Sequence, residues 1–537
     1  MPTFQETLQA ISEKIQGLHP DEKGRVTTIH IREEMLSDIV KIVHSKHWRL
    51  LTMVCNDERA RIQAFTVSWV FGLPKENKII RLILGVTEAK PEFPSIFEIV
   101  QSSLLFELEI RDMFGLTPVG NPELTVEDEH GHGQKRRLVH HHNWPENTYP
   151  LRKDFPWNKR PPEANVPFPF RYGEGEGVFE IPVGPIHAGV IEPGHFRFTA
   201  VGEMILNLKI RLYYSHRGME KLFEQKNLND AVTLAEHISG DTSFGHSLAF
   251  CEAVEELSGI SVTKRAGLLR VIFLEMERIY NHVGDIGMIG LDAAFSFAGA
   301  NGGRLKELAM QMNDALSGSR VLRGINTVGG VTKDITPEKA ELLEKFLESF
   351  ELDFNEFVAV LFSTSSLLDR LETTGRLKSQ TAFDYNTVGV VARASNLKRD
   401  ARKDFPNEWW SPMKFSSPTF ETGDVFARFQ VRVEEVRQSL KLIKTALSQL
   451  PADEPITVKQ AHPMKEGECA VSIVEGWRGE LVHMVIAGPN NSLYRVKVRD
   501  ASFLNWPTLS HAILNNIVPD FPLCNKSYDM SYAGNDL

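Results

Sequence analysis

The chain has 537 residues, of which 42% are hydrophobic and 24% are charged, and its formal net charge is -10 at pH 7. This length suggests two to four domains, and the composition is typical of a soluble globular protein. The negative charge argues against a nucleic-acid partner, because phosphate binding needs a concentrated positive surface. No apolar run reaches the roughly 18–20 residues of a membrane-spanning helix, and the start of the chain lacks the pattern of a signal peptide.

The cysteines are isolated from one another along the chain, at Cys55, Cys251, Cys469 and Cys524. Such spacing offers neither a disulfide framework nor a chelating site, and it is typical of a reducing cytoplasm. We therefore expect the chain to hold no iron–sulfur cluster of its own.

Residues 1–118 are predicted to form a small α+β domain. The patterns that indicate it are strands at 48–54 and 78–84 and helices at 32–46 and 97–114. Residues 119–168 are rich in proline, glycine, histidine and charge, as linkers are. The linker histidines offer a transition metal no thiolate and little rigidity, so we favour a docking segment over a metal site; they are His130, His132, His140, His141 and His142.

Residues 169–537 are predicted to form a mainly α-helical domain with β-hairpins at its start and end. Turn glycines between 170 and 200 indicate the first hairpins, and 479–487 indicates a strand near the end. Helical patterns predict helices at about 204–226, 229–237, 246–257, 262–287, 302–316, 336–371, 420–449 and 509–517.

Two short segments nearly three hundred residues apart are the most informative feature of the chain. Residues 236–247 have the sequence EHISGDTSFGHS, and residues 529–537 have the sequence DMSYAGNDL. Their frame resembles the large subunits of nickel–iron hydrogenases, which carry a C-G-x-C at the first place and a D-x-C-x-x-C at the second. The positions of those four thiolates hold Ser239, Thr242, Ser531 and Gly534. Because soft nickel and iron favour sulfur ligands, the resemblance implies a subunit that has lost its metal centre.

The rest of the chain is similar, in order, to subunits of respiratory complex I and of membrane-bound hydrogenases of the hydrogenase-4 and formate-hydrogenlyase type. Residues 107–116 (ELEIRDMFGL) and 149–156 (YPLRKDFP) resemble the 30 kDa-type accessory subunit of complex I. Residues 184–189 (GPIHAG), 192–196 (EPGHF) and 216–222 (HRGMEKL) resemble the 49 kDa-type large subunit. The chain is thus similar to a fusion of both types, and it leans towards the hydrogenase-4 branch.

Three candidate catalytic residues follow from this resemblance. His195 falls where complex I places the histidine of its quinone-site hairpin, and His187 is a similar candidate, since a histidine can donate a hydrogen bond and titrate near neutrality. The alternative for His195 is a histidine satisfied within a turn. Asp241 can relay a proton, or it caps the helix that follows.

Five further residues are candidates for binding an acceptor or a partner's cluster. Ser239, Thr242 and Ser531 either line a polar crevice that admits a quinone headgroup or merely fill a former metal cavity. The resemblance places His216 and Arg217 beside the partner subunit that carries the cluster. The alternative is a surface ion pair between Arg217 and the residue three positions later, Glu220.

Two other features bear on the prediction. Gly240, His237 and Leu322 stand where complex I has a tyrosine, an arginine and a histidine around its quinone site, so the chain departs from complex I there. A solvated or interface-facing helix surface is predicted around Arg428, Arg432, Glu435 and Arg437.

The resemblance implies the large subunit of a membrane-associated oxidoreductase without a nickel–iron centre. Electrons would pass from a [4Fe-4S] cluster in a partner small subunit to a quinone-type acceptor, with coupled ion translocation, and NAD(H) would act only through other subunits. Further implied partners are a ferredoxin-like subunit and membrane subunits of the antiporter and quinone-channel types. The expected location is peripheral, on the cytoplasmic side of the inner (plasma) membrane, and the isolated chain is expected to be redox-silent. The alternative is a non-catalytic coupling or scaffold subunit; an active nickel–iron hydrogenase is disfavoured by the ligand count.

Overall fold

The computed structural model describes most of the chain, namely residues 3–15, 17–127, 133–141, 143–156, 158–164, 173–189, 191–459 and 462–537. Three of the linker histidines, His130, His132 and His142, lie outside these residues. Among the described residues, no helix is both long and apolar enough to cross a membrane.

The amino-terminal part is a five-stranded mixed sheet with helices packed on it, which confirms the predicted α+β class. Its strands are β1 (Asp21–Lys23), β2 (Val26–His30), β3 (Arg49–Asp57), β4 (Ala64–Leu73) and β5 (Lys78–Thr87), in the order β1-β2-β5-β4-β3. Its helices are α1 (Phe4–Lys14), α2 (Leu36–Ser45), α3 (Arg59–Ile62) and α4 (Leu104–Phe114). Residues 97–103, predicted as the start of α4, form a turn and a 3-10 helix instead, so the helix begins at Leu104.

Short strands follow this sheet and lead to the rest of the chain. They are β6 (Glu92–Pro94), β7 (Thr117–Val119), β8 (Thr125–Glu127) and β9 (Gly133–Lys135). β6 pairs with β7 in parallel, and β8 pairs with β9 antiparallel. The domain boundaries at 118 and 168 remain a prediction.

A three-stranded antiparallel sheet opens the large part of the chain and corrects one prediction. It contains β10 (Val178–Val183), β11 (His195–Val201) and β12 (Met204–Arg211). The helix predicted at 204–226 is therefore wrong over its first half, where β12 pairs along β11; only α5 (Met219–Phe223) is helical. From Leu206 onward the apolar residues of β12 alternate with polar ones, which is the period of a strand rather than of a helix.

The body is helical, as predicted. Its helices are α6 (Leu228–Glu236), α7 (Ser243–Ser258), α8 (Lys264–Asp292), α9 (Ser296–Ser317), α10 (Pro337–Ser363), α11 (Ser365–Leu371), α12 (Ser379–Asp384), α13 (Gly389–Ala394), α14 (Ala401–Asp404) and α15 (Val425–Ser448). A small hairpin, β13 (Asn326–Thr327) and β14 (Gly330–Val331), precedes α10. α8 lies at the centre of this body, packed between α9 and α15, and is buried along most of its length.

The chain ends in an antiparallel sheet and three helices. They are β15 (Cys469–Glu475), β16 (Glu480–Ala487), β17 (Leu493–Arg499), α16 (Ala501–Ala512), α17 (Phe521–Tyr528) and α18 (Tyr532–Asp536). The helix predicted at 509–517 begins earlier, at Ala501, because the Asp500 carboxylate accepts a hydrogen bond from the amide of Ser502 and caps it.

The charged surface predicted on α15 is wrong for three of its four residues. Arg428, Arg432 and Glu435 are at most 1% exposed. Arg428 donates to the carbonyls of Gly423 and Gly375, and Arg432 pairs with a carboxylate on α8. The charged partners of Arg432 and Glu435 are distant in sequence, so the charge pattern of α15 alone resembles that of a solvated helix.

Candidate functional site

The four positions that the sequence resemblance aligns with metal ligands converge at one buried place. Ser239 is 2%, Thr242 1% and Ser531 6% exposed. The Ser239 hydroxyl lies 2.9 Å from the Ser531 hydroxyl, and the Ser531 oxygen accepts the Gly534 amide at 2.9 Å. The predicted proximity of the two segments is therefore present, and their hydroxyl groups bond to one another.

Asp241 ties this group of hydroxyls to an arginine that sequence reasoning did not select. The Arg478 guanidinium donates to both Asp241 oxygens, at 2.6 and 2.7 Å, and Ser239 and Thr242 donate to the same carboxylate. Lost hydration raises the pKa of Asp241, but the charge and hydrogen bonds of Arg478 outweigh it, so the pKa lies below its usual value. The alternative of a helix cap does not hold, since α7 begins at Ser243 with Thr242 as its N-cap residue and has no side-chain cap.

Arg478 owes its position to a tight connection between β15 and β16. Gly479 adopts a φ of 141°, a conformation that side chains rarely permit. The preceding Trp477 donates its indole N–H to the Asp241 carbonyl at 3.0 Å. The segment Gly476-Trp477-Arg478-Gly479, an arginine between glycines, was the one sequence signal that could have identified this residue.

Asp500 occupies the space beside Gly534. A Cβ atom on Gly534 would lie 2.8 Å from the Asp500 carboxyl carbon and 2.9 Å from its Oδ2. Asp500 Oδ2 is 3.1 Å from His246 Nε2, and His246 Nδ1 is 3.0 Å from His483 Nε2. Burial raises the pKa of Asp500, but the hydrogen bond and charge of His246, together with Ser502 and Arg478, outweigh it and lower the pKa to about 2.

A row of charged side chains leads from Arg478 along the C-terminal end of α17. Arg478 Nη2 lies 3.8 Å from Asp529 Oδ2, and the Lys526 ammonium lies 2.7 Å from Asp529 Oδ1 and 3.5 Å from Asp285 Oδ1. Arg432 closes the row, with Nε 2.9 Å from Asp285 Oδ2. The Asp241 and Asp529 side chains are 42% and 19% exposed, so solvent reaches this row of charges.

The hairpin between β10 and β11 packs on the C-terminal segment. The ring of His187 stacks on Phe196, and its Nε2 lies 3.4 Å from the Tyr532 hydroxyl. Glu192 accepts the amide of Ala533 at 2.9 Å. His187 is therefore next to Ser531 through Tyr532, whereas His195 Nδ1 lies 3.2 Å from the carbonyl of Gly184 within the hairpin itself.

His216 and Arg217 also contact the C-terminal segment. His216 Nδ1 lies 2.7 Å from the Asp536 carbonyl, and Arg217 donates to the carbonyls of His237, Ile238 and Ala533. The alternative of an Arg217–Glu220 ion pair is wrong, because Glu220 pairs with Arg495 at 2.7 Å and Lys497 at 3.1 Å.

The donor atoms present do not fit a nickel–iron centre. Three of the four positions offer hydroxyl groups already engaged in hydrogen bonds, and Gly534 offers no side chain. All four cysteines lie elsewhere; three of them, Cys55 in β3, Cys251 in α7 and Cys524 in α17, are buried with raised thiol pKa values. Among the described residues, no group of three or more histidine, cysteine and acidic side chains is arranged to hold a metal ion.

Two known protein families match this chain, one in each of its two parts. The family described as "Respiratory-chain NADH dehydrogenase, 30 Kd subunit" matches residues 29–161. The family described as "Respiratory-chain NADH dehydrogenase, 49 Kd subunit" matches residues 300–466 and 456–536.

Two curated relatives match almost end to end. Formate hydrogenlyase subunit 5 of Escherichia coli (strain K12) is 32% identical over 99% of this chain and 93% of that protein. Hydrogenase-4 component G of the same organism is 34% identical over 98% of this chain and 92% of that protein. A chain in the structure of the membrane-bound sulfane sulfur reductase, an archaeal respiratory membrane complex, is similar in fold, with a TM-score of 0.64 at 24% identity over 68% of this chain and all of that chain.

Proposed function

We infer the function of this chain from the family to which it belongs. That family of large subunits includes formate hydrogenlyase subunit 5, hydrogenase-4 component G and the 49 Kd subunit of the respiratory NADH dehydrogenase. We propose that the chain passes electrons to a quinone-type acceptor without a nickel–iron centre. Its relatives are subunits of oxidoreductases and of membrane-associated complexes. The proposal therefore starts from a role in such a complex.

The observation that carries the proposal is the chemistry of the four ligand positions. Hydroxyl groups bonded to Asp241 and Arg478, and a glycine whose space Asp500 fills, cannot replace thiolates as ligands for soft metals. A redox step on this chain therefore needs a diffusible acceptor rather than a resident metal.

The acceptor is proposed to lie where Asp241 is exposed, beside the hairpin between β10 and β11. Arg478 and Asp241 supply polar groups for a headgroup there. Ile186 and Ile191 of the hairpin are 85% and 50% exposed and offer apolar surface for a hydrocarbon tail. The partner's [4Fe-4S] cluster is proposed to approach His216 and Arg217, and the complex to lie on the cytoplasmic side of the membrane, coupled to ion translocation by membrane subunits.

The test uses the purified intact complex. Its clusters are reduced chemically, a short-chain quinone is added, and quinol formation and cluster reoxidation are followed together with the nickel content. We expect quinol, cluster reoxidation and nickel far below one atom per complex. Asp241→Asn should slow quinone reduction on the order of tenfold or more, while Asp369→Asn, an exposed change on α11, should not.

Stoichiometric nickel or dihydrogen turnover would end this proposal in favour of a hydrogenase. A wild-type complex that leaves every quinone unreduced would point to the second candidate, a coupling scaffold. The burial of Ser239, Thr242 and Ser531 favours that second candidate, because an acceptor could enter the former metal position only by breaking the Ser239–Ser531 hydrogen bond and the hydrogen bond from Thr242 to Asp241.

A further inference from the structure

A cavity of about 580 Å³ lies between the amino-terminal part and the large part of the chain, and the proposed function does not use it. The connections from α2 to β3 and from β4 to β5 form one wall, and the segments beside α12 and α14 form the other. Two hydrogen bonds join these walls: the Lys75 amide donates to the Asp404 carbonyl at 2.7 Å, and the Asn386 side-chain amide donates to the Leu50 carbonyl at 2.8 Å. The cavity is therefore part of the fold, and its volume is that of a small-molecule site.

Arg399, on the wall of this cavity, is a cation held by a backbone carbonyl. Its Nη1 donates to the Thr387 carbonyl at 2.8 Å, and its guanidinium carbon lies 5.6 Å from the centre of the Phe383 ring. Among the described residues, no carboxylate oxygen lies within 4 Å of this guanidinium. Burial, followed by the charge of Arg49, lowers the pKa of Arg399 to about 9. A bound anion reverses this effect, because it supplies the opposite charge that a buried cation needs.

The other charges around the cavity leave a positive excess. Arg49 pairs with Asp404 at 3.2 Å and with Glu480 at 2.8 Å. Glu480 also pairs with Arg499 at 2.5 Å, so these two cations and two carboxylates cancel. The remaining charged side chains that line the cavity are Arg399, Lys75 and Lys398 against Glu98 and Asp384, with His44 and His47 as titratable neighbours. This set carries one excess positive charge, and more when the histidines are protonated, so the cavity attracts anions.

Apolar and aromatic side chains complete the walls of the cavity. Leu50, Ile99 and Leu397 line it, and the Phe383 ring beside Arg399 is 44% exposed. An exposed ring next to a guanidinium offers a surface on which a second planar ring can stack. The combination of cations with apolar surface suits an organic anion that carries a ring better than it suits an inorganic ion.

We propose that this cavity binds a phosphorylated organic anion of nucleotide size, with its phosphate groups at Arg399, Lys75 and Lys398 and its ring at Phe383. The guanidinium presents paired N–H donors that match phosphate oxygens, and the two lysines add charge for a second phosphate group. Because the walls come from both parts of the chain, the ligand contacts both parts and stabilises the folded chain.

Calorimetric titration of the full chain with ADP tests this proposal. The wild type should bind ADP, and ADP should raise its thermal unfolding midpoint. Arg399→Gln should weaken ADP binding by at least about tenfold, since a hydrogen bond between charged groups is lost. Lys398→Gln, at an exposed position, should weaken binding by about threefold. Arg376→Gln is the matched control, because this exposed arginine also donates to a backbone carbonyl, that of Thr422, and its variant should bind ADP as the wild type does.

Inorganic phosphate and vesicles of phosphatidylglycerol are titrated alongside ADP to identify the source of the phosphate group. Phosphate that binds as tightly as ADP would overturn the organic part of the ligand, and binding of vesicles without binding of ADP would overturn a nucleotide-sized ligand in favour of a lipid headgroup. ADP binding that both Arg399→Gln and Lys398→Gln leave unchanged, or no ADP binding by the wild type, would overturn the site. If Arg399→Gln does not fold, Lys398→Gln alone decides the outcome, because its side chain is exposed.

Discussion

At the scale of single residues, Gly534 and Asp500 decide what the buried space between residues 239–242 and 531–534 can contain. The carboxylate is held by His246 and by the amide of Ser502, so it cannot move aside freely. Any side chain at position 534 must displace it or Ser531, whose hydroxyl would lie 3.1 Å from the new Cβ. The absence of a side chain at 534 and the presence of the carboxylate at 500 are thus two sides of one packing arrangement.

Gly534→Ala should therefore destabilise the chain, although alanine is the better helix former. Overpacking of this kind typically costs ~1–3 kcal/mol. Thermal unfolding of the full chain measures the effect. Gly303→Ala on α9, where an added Cβ meets nothing within 4 Å, is the matched control and should be neutral or slightly stabilising. Equal midpoints for the two variants would contradict the tight packing at 534.

His140 provides a residue-scale test of pH dependence. It is 7% exposed and stacks on Trp144, and burial lowers its pKa to about 4 from an ordinary value near 6.5. Between those pH values the unfolded chain binds a proton that the folded chain excludes, so stability is full above about pH 6.5 and falls towards pH 4. The loss through this group amounts to about 3 kcal/mol.

His140→Phe keeps an aromatic ring against Trp144 and removes this titration. Urea unfolding of the full chain at pH 7 and pH 5 should show a smaller loss of stability in the variant than in the wild type. His30→Phe, at an exposed position of β2, should keep the wild-type difference. An unchanged difference in His140→Phe would mean that this histidine takes up its proton at the same pH in the folded and the unfolded chain.

At the scale of elements, α8 and α15 join through charges that are fully buried. His282 of α8 lies 2.7 Å from a Glu435 oxygen on α15, and Arg393 pairs with both Glu435 and Glu475 of β15. Pattern analysis of α15 predicted a solvated face because the neutralising groups come from distant parts of the chain. Removing one partner of such a group is costly, since the other charge stays buried.

Lys497 of β17 links the amino-terminal part of the chain to the large part through buried ion pairs. It is 3% exposed and contacts Glu109 of α4 at 2.6 Å and Glu220 of α5 at 3.1 Å. Lys497→Met leaves both carboxylates without this cation and should cost about 3–5 kcal/mol. Lys345→Met removes an exposed i,i+4 pair and should cost less than about 1 kcal/mol. Denaturant unfolding distinguishes these, and similar values for both would refute the junction.

At the scale of the whole molecule, the hairpin between β10 and β11 is the part of the described chain that presents large apolar side chains most openly. Exposed apolar groups of this kind mark surfaces that partners or lipids cover. Ile186→Asp with Ile191→Asp should therefore leave the unfolding midpoint of the chain within about 2 °C, because neither side chain is buried.

The same double variant should lose its place in the membrane complex. Recovery of partner subunits with a tagged chain from solubilised membranes measures this, and we expect a reduction of at least about tenfold. Ile62→Asp, at an exposed position of the amino-terminal part, is the matched control. Full recovery of partners with the hairpin variant would place the assembly surface elsewhere.

The sequence by itself determined the family, the α+β and helical classes of the two parts, and the meeting of residues 239–242 with 531–534. These follow from motifs and periodicities that are local in the chain. It did not reveal Arg478 beside Asp241, Asp500 beside Gly534, or Lys526 between Asp285 and Asp529, and it misassigned β12 and the surface of α15. Those features depend on which distant segments the fold brings within a few ångströms, because burial and charge pairing are set by neighbours in space rather than in sequence.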